Sequence, residues 1–175
     1  MALADDIRTK QILLIVLTKN NYLAKLPEII KAVNANSKKM CYVALNKPYS
    51  SVIKSLQASG ISPDNYFFID VLTKSVQRTS DAKNCEFVDS PSNFTDIGLA
   101  FTRAVKEEKC DNIFFDTIST LAIYQSTGDL IKFVQNLMTK SRVFNTKAVY
   151  LALKEDSAEL IKDMTMFVDD VIEIK

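Results

Sequence analysis

The sequence predicts a three-layer α/β fold, a mainly parallel sheet with helices on both faces. Two observations lead there. Short apolar runs rich in β-branched and aromatic residues alternate along the chain with longer stretches whose apolar residues recur at helical spacing. The short runs are also apolar almost throughout instead of alternating with polar residues, as strands covered on both faces are. Repeated strand–helix–strand order then calls for parallel strands joined by right-handed helical crossovers.

Gln11 to Leu17 (QILLIVL) reads as the first strand. Leu23 to Ala35 places Leu23, Leu26, Ile29, Ile30 and Val33 on one helical face. Pro27 fits only a first turn, so this helix is predicted to begin near Leu26. Met40 to Leu45 is the second strand, and Pro48 to Ser59 a helix with Gly60 as its C-terminal cap. Tyr66 to Asp70 is the third strand. Val71 to Asn84 loses all periodicity and reads as a mobile loop. A short strand at Cys85 to Val88 precedes a helix from Ser92 to Glu108, with Ser92 the expected cap. Asn112 to Asp116 (NIFFD) is the central strand, and Thr127 to Val143 the longest amphipathic helix. Lys147 to Leu153, a helix from Asp156 to Met164, and Phe167 to Ile174 close the sheet. Residues 1–175 therefore form one domain, with no repeat and no linker.

Composition bounds the chemistry. With 47% apolar and 25% charged residues this is the mixture of an ordinary globular domain. The longest apolar run, Ile12 to Leu17, is far short of the roughly 20 residues that span a bilayer. Asp5 and Asp6 stand where a secretory signal would be cationic, so a cytoplasmic location is expected. The chain has no histidine, and its cysteines, Cys41, Cys85 and Cys110, are widely spaced, so zinc fingers, C-x-x-C redox chemistry and histidine catalysis are out. Cys41 reads as a core residue; Cys85 and Cys110 stay open. Residues 1–60 carry nine basic and three acidic side chains (+6), residues 61–175 thirteen and eighteen (−5). This split offers an electrostatic contribution to self-association, against the plainer reading of scattered solvated charge. No stretch is basic and aromatic enough to argue for nucleic acid.

Asn112 to Arg142 (NIFFDTISTLAIYQSTGDLIKFVQNLMTKSR) resembles the Walker B strand and following helices of KaiC-like ATPases in the RecA superfamily, of archaeal type. Residues 40–71 resemble that family's second strand, helix and third strand, and residues 147–175 its C-terminal helix and strand. The resemblance implies a RecA-like sheet in which Asn112–Asp116 and Gln11–Leu17 are adjacent inner strands. It also implies that Asp116 matches the Walker B acid that helps to hold Mg²⁺; read from the residues alone, Asp116 is a capping acceptor for the Thr117-Ile118-Ser119 turn. Where the family has a P-loop, with glycines that let backbone N–H groups point at phosphate oxygens, the segment Thr18 to Leu26 here has no glycine. Where it has acidic residues after the second strand, this chain has Asn46 and Lys47, neither of which can act as a carboxylate base.

The expectation is a pseudo-ATPase domain, an interaction or regulatory module with a protein partner or a second copy of itself, no membrane or nucleotide partner and no cofactor or catalytic residue. Hydrophobic side chains within Leu121 to Tyr124 could add an apolar contact. The alternative function is a phosphate-metabolite or nucleotide binder that uses helix N-termini, through Lys19, Asn20, Asn46, Lys47, Asp116, Thr117 and Ser119 at the strand carboxyl ends. A DNA-binding reading leans on the basic first third. The rival fold is an unrelated doubly wound sheet, of which a receiver-like domain is the nearest example, although Thr18 and Lys19 replace the acidic pair expected after its first strand.

Overall fold

The computed structural model describes residues 2–156 and 158–175. Ser157, within the helix expected from Asp156, lies outside the described residues. In chain order the elements are α1 (Ala2–Thr9), β1 (Ile12–Leu17), α2 (Lys19–Ala35), β2 (Met40–Ala44), α3 (Tyr49–Ala58), β3 (Tyr66–Asp70), β4 (Cys85–Phe87), α4 (Phe94–Lys106), β5 (Asn112–Asp116), α5 (Thr127–Val143), β6 (Lys147–Leu153), α6 (Ala158–Met164) and β7 (Asp170–Ile174). A 3₁₀ turn over Ile118–Ile123 follows β5. No described helix is long and apolar enough to cross a membrane.

All seven strands are parallel, in the order β4-β3-β2-β5-β6-β1-β7. This explains the layers. From β1 through β2 to β3 the chain moves one way across the sheet, and from β4 through β5 and β6 to β7 it moves back. Crossovers of one hand must then put their helices on opposite faces in the two runs. Accordingly α1, α2 and α3 cover one face over Leu13, Ile15, Tyr42, Phe68 and Phe114, while α4, α5 and α6 cover the other over Ile12, Leu14, Val43, Ile69 and Phe115. Every residue of β1, β2, β3 and β5 is buried, which is why these runs read as apolar almost throughout. All three cysteines are buried and unpaired as disulfides.

Three expectations are corrected. β1 and β5 are not neighbours, because β6 lies between them, pairing Ile12 to Leu17 on one side and Asn112 to Phe115 on the other. Strand order in a parallel sheet is set by crossovers, to which a strand's own periodicity is blind. α2 begins at Lys19, not near Leu26, and carries Pro27 in its interior. The proline ring removes the amide that would bond the Leu23 carbonyl, and Leu23 is 65% exposed, so water can take its place. α4 is capped by Asn93 and not Ser92: the Asn93 carboxamide accepts from the Asp96 amide at 3.1 Å and donates to its carboxylate at 2.6 Å. α3 does end at Gly60, whose φ of 72° closes a Schellman turn with bonds from Gly60 to Gln57 and from Ile61 to Leu56. The segment expected as a mobile loop is pinned at both ends, by a 3₁₀ turn at Thr73–Ser75 and by an Ala82–Cys85 bridge, with its middle exposed.

Candidate functional site

Open parallel sheets offer a crevice beyond the strand carboxyl ends where neighbouring strands send their helices to opposite faces. Here there are two such places, between β2 and β5 and between β6 and β1. A cleft of about 420 Å³ opens from the first towards the second, lined by Lys19, Asn46, Ser119, Thr120, Ala122, Ile123, Leu153 and Asp156. A second, smaller cavity of about 40 Å³ lies behind it between α2 and α3, lined by Leu26, Ile30, Val52 and Leu56 with Tyr42, Lys47 and Asp116 at its polar end.

The sequence-predicted site residues are thereby divided. Lys19, Asn46 and Ser119 share the open cleft; Lys47 and Asp116 line the inner cavity. Asn20 stands exposed on the first turn of α2, and Thr117 is buried with its hydroxyl 3.1 Å from that of Thr120. Ser119 faces the sheet, where its hydroxyl accepts from the Leu153 amide at 2.8 Å.

Asp116 is 3% exposed, and it caps no turn. Its two oxygens accept from two phenols, Tyr22 at 2.6 Å and Tyr42 through a very short contact. The Asn46 carboxamide in turn donates to the Tyr22 oxygen at 3.2 Å. Burial pushes the Asp116 carboxyl above the usual carboxylate range, against the opposing pull of the Tyr22 and Tyr42 hydrogen bonds and the Lys47 charge. The same burial, reinforced by the Asp116 charge, raises both phenols, so they are donors throughout the ordinary pH range. The Asp116–Thr117 peptide bond is cis.

The turn that would have to cradle a phosphate is a single residue. β1 ends at Leu17, Thr18 follows, and α2 starts at Lys19. A helix N-terminus still presents free amides and a positive dipole end, but the chain's own acids fill this one. The Lys19 amide donates to both oxygens of Glu155 at 3.1 and 3.2 Å, and the Lys19 ammonium pairs with Asp156 at 2.5 Å, which holds its pKa above the ordinary value. α3 is treated alike. Asp70, fully buried at the end of β3, accepts from the Tyr49 amide at 2.7 Å and also from Leu72, Thr73 and the Thr73 hydroxyl.

No protein-family model matches the chain, and neither does any curated protein. Among solved structures, a KaiC-like protein from the hyperthermophilic archaeon Pyrococcus horikoshii superposes with a TM-score of 0.63 at 13% identity, over 93% of this chain and 70% of that one. The fold is KaiC-like, of the RecA type. At this identity the likeness is one of architecture alone, and it holds although β6 separates β1 from β5.

Sequence reasoning missed four residues that shape this site: Tyr22, Tyr42, Asp70 and Glu155. For Tyr42 and Asp70 a signal existed, since both sit in strands read correctly, Tyr42 two positions from the end of β2 and Asp70 at the end of β3. Tyr22 and Glu155 had none, because the first precedes the helix start that Pro27 suggests and the second reaches α2 across 136 residues.

Proposed function

We propose that this chain is a non-catalytic, pseudo-ATPase domain of KaiC/RecA-like type that works as an interaction or regulatory module. One observation carries the reading: the carboxylate at the Walker B position is closed off by two phenols. A carboxylate that helps to hold Mg²⁺ must offer an ionised, accessible oxygen. Asp116 offers no accessible oxygen, being buried and bonded through both oxygens. The capping of α2 and α3 by Glu155 and Asp70 weighs against the alternative, an anion binder built on helix N-termini, since a phosphate would have to displace a carboxylate of the chain itself.

For the contact surface the structure favours apolar side chains over the charge split. Of the nine basic residues before position 61, Lys10, Lys19 and Lys39 pair with Asp170, Asp156 and Glu108, so the opposite charges of the two sequence halves meet within one molecule. In the Leu121 to Tyr124 region Leu121 is core, but Ile123 is 79% exposed at the rim of the cleft and Tyr124 is 43% exposed beside it.

The experiment is a thermal-shift titration with ATP and Mg²⁺, run beside a phosphate-release assay and light scattering at two salt concentrations. A ligand at a hundredfold excess over its dissociation constant would stabilise the fold by about 2.7 kcal/mol. The expected result is no shift, no hydrolysis above a protein-free blank, and self-association that is insensitive to salt. A shift of several degrees with ATP would restore the nucleotide-binding alternative, and a 19.7 kDa monomer under both conditions would move the contact to another protein.

A further inference from the structure

We propose that four hydrogen-bonded side chains, Asn46, Tyr22, Asp116 and Tyr42, couple occupancy of the open cleft to the packing of α2 against α3 around the inner cavity. The inference is independent of what the cleft binds. Its ground is that one chain of contacts joins two separate spaces. Asn46 lines the cleft and donates to Tyr22; Tyr22 and Tyr42 both donate to Asp116; Tyr42 and Asp116 line the inner cavity.

Beyond Asn46 every link is buried, with Tyr22, Tyr42 and Asp116 each at 6% exposure or less. None of them can exchange its partner for bulk water, so a change at one link is handed to the next. Hydrogen bonds in series also polarise one another: a phenol whose oxygen accepts from an amide is the stronger donor to the carboxylate beyond it. A partner group that draws the Asn46 carboxamide away from Tyr22 weakens the Tyr22–Asp116 link.

The mechanical consequence follows from helix geometry. Tyr22 lies one turn before Leu26 and two turns before Ile30, so the three share a face of α2, and Leu26 and Ile30 form the α2 wall of the cavity. The opposite wall is Val52 and Leu56 of α3. Loosening Tyr22 from Asp116 frees the first turn of α2 to shift, and the cavity of about 40 Å³ gives its side chains room to follow.

The test needs no ligand. In methyl-labelled protein, N46A is compared by NMR with T120A, which alters the same cleft but not the chain, because the Thr120 hydroxyl meets Thr117. The expected result is that N46A shifts the methyl resonances of Ile30, Val52 and Leu56 while T120A leaves them in place, and that N46A adds no further shift in a Y22F background. A direct effect through the neighbouring Lys47, which also lines the cavity, would persist in Y22F. That outcome, or unmoved cavity methyls in N46A, overturns the proposal. Should Y22F not fold, K47A serves as the background: the shift caused by N46A is expected to persist there, and its loss, which would place the effect in Lys47, overturns the proposal.

Discussion

Replacing Tyr22 by phenylalanine removes one oxygen atom and leaves the ring, so its cost isolates the clamp on Asp116. The hydroxyl is the donor to Asp116 Oδ1 at 2.6 Å and the acceptor for Asn46 at 3.2 Å. Asn46 is exposed and recovers its bond from water. Asp116 is 3% exposed and cannot. The loss is therefore that of a hydrogen bond to a buried charged group, about 2 kcal/mol. In a chain of this length each kcal/mol moves the melting temperature by about 2–4 °C, which gives a fall of about 4–8 °C while Asp116 is ionised. The effect has a pH signature, because the bond is charge-assisted only while Asp116 is ionised. Urea denaturation of wild type and Y22F at several pH values is predicted to show a difference that shrinks as pH falls through the raised pKa of Asp116. A difference below about 0.5 kcal/mol would refute the clamp, and one that does not shrink towards acid would refute its charge assistance.

The other expectations concern groups around the same strand ends and the sheet edge. Because burial holds the folded-state pKa of Asp116 above its unfolded value, its protonation favours folding; that contribution is full below the unfolded value of about 3.9 and is lost as pH rises through the folded value. D116N is predicted to remove this decline, read as a flatter stability profile than wild type; matching profiles would show that Asp116 titrates normally. Asp169 has the opposite sign. Burial would raise its pKa, but the Ile12 amide, Arg142 and the Gln11 amide together outweigh it and the net shift is downward. Its contribution is thus present above about pH 3.9 and lost as pH falls through the lower folded value, so the advantage of wild type over D169N should vanish in acid and persist at neutral pH. D70A orphans four donors, three of them amides at the start of α3 and of the segment after β3, and should cost about 2–4 kcal/mol by denaturation. The same change should speed limited proteolysis between residues 74 and 83, and unchanged cleavage would mean that Asp70 does not pin that segment.

What was legible in the sequence is what local chemistry encodes. Runs such as Tyr66 to Asp70 and Asn112 to Asp116 match their strands residue for residue, because a strand buried on both faces has to be mostly apolar. The helix Thr127 to Val143 is likewise marked by its own periodicity. The start of α2 was hidden because Lys19, Asn20 and Asn21 are neutral on local grounds, and the acid that caps the Lys19 amide, Glu155, arrives from the far end of the chain. The site was legible as a location and not as a mechanism. Placing Lys19, Asn46 and Ser119 at strand ends was enough to find the cleft, whereas the pairing of Asp116 with Tyr22 and Tyr42 depends on how β5, β2 and α2 are set beside one another.

The position of β1 bears on how such a chain is made. β1 is an unbroken apolar hexapeptide near the start of the chain, and its two neighbours in the sheet are β6 and β7. Ile12 meets Ala148 across 136 residues, and Leu17 meets Ile174 across 157. Ribosomes add about 5–20 residues each second, so during synthesis this strand waits about 7 seconds or more for its first partner. In that interval β2 and β3 can pair with each other, but Ile12 to Leu17 is an unshielded β-prone segment of the kind that associates with other chains. Flanking charge offers protection: Arg8, Lys10 and Lys19 bracket the hexapeptide and repel the same segment on a neighbouring nascent chain. The cations that later join ion pairs across the finished sheet, Lys10 to Asp170 and Lys19 to Asp156, thus serve first as gatekeepers against aggregation.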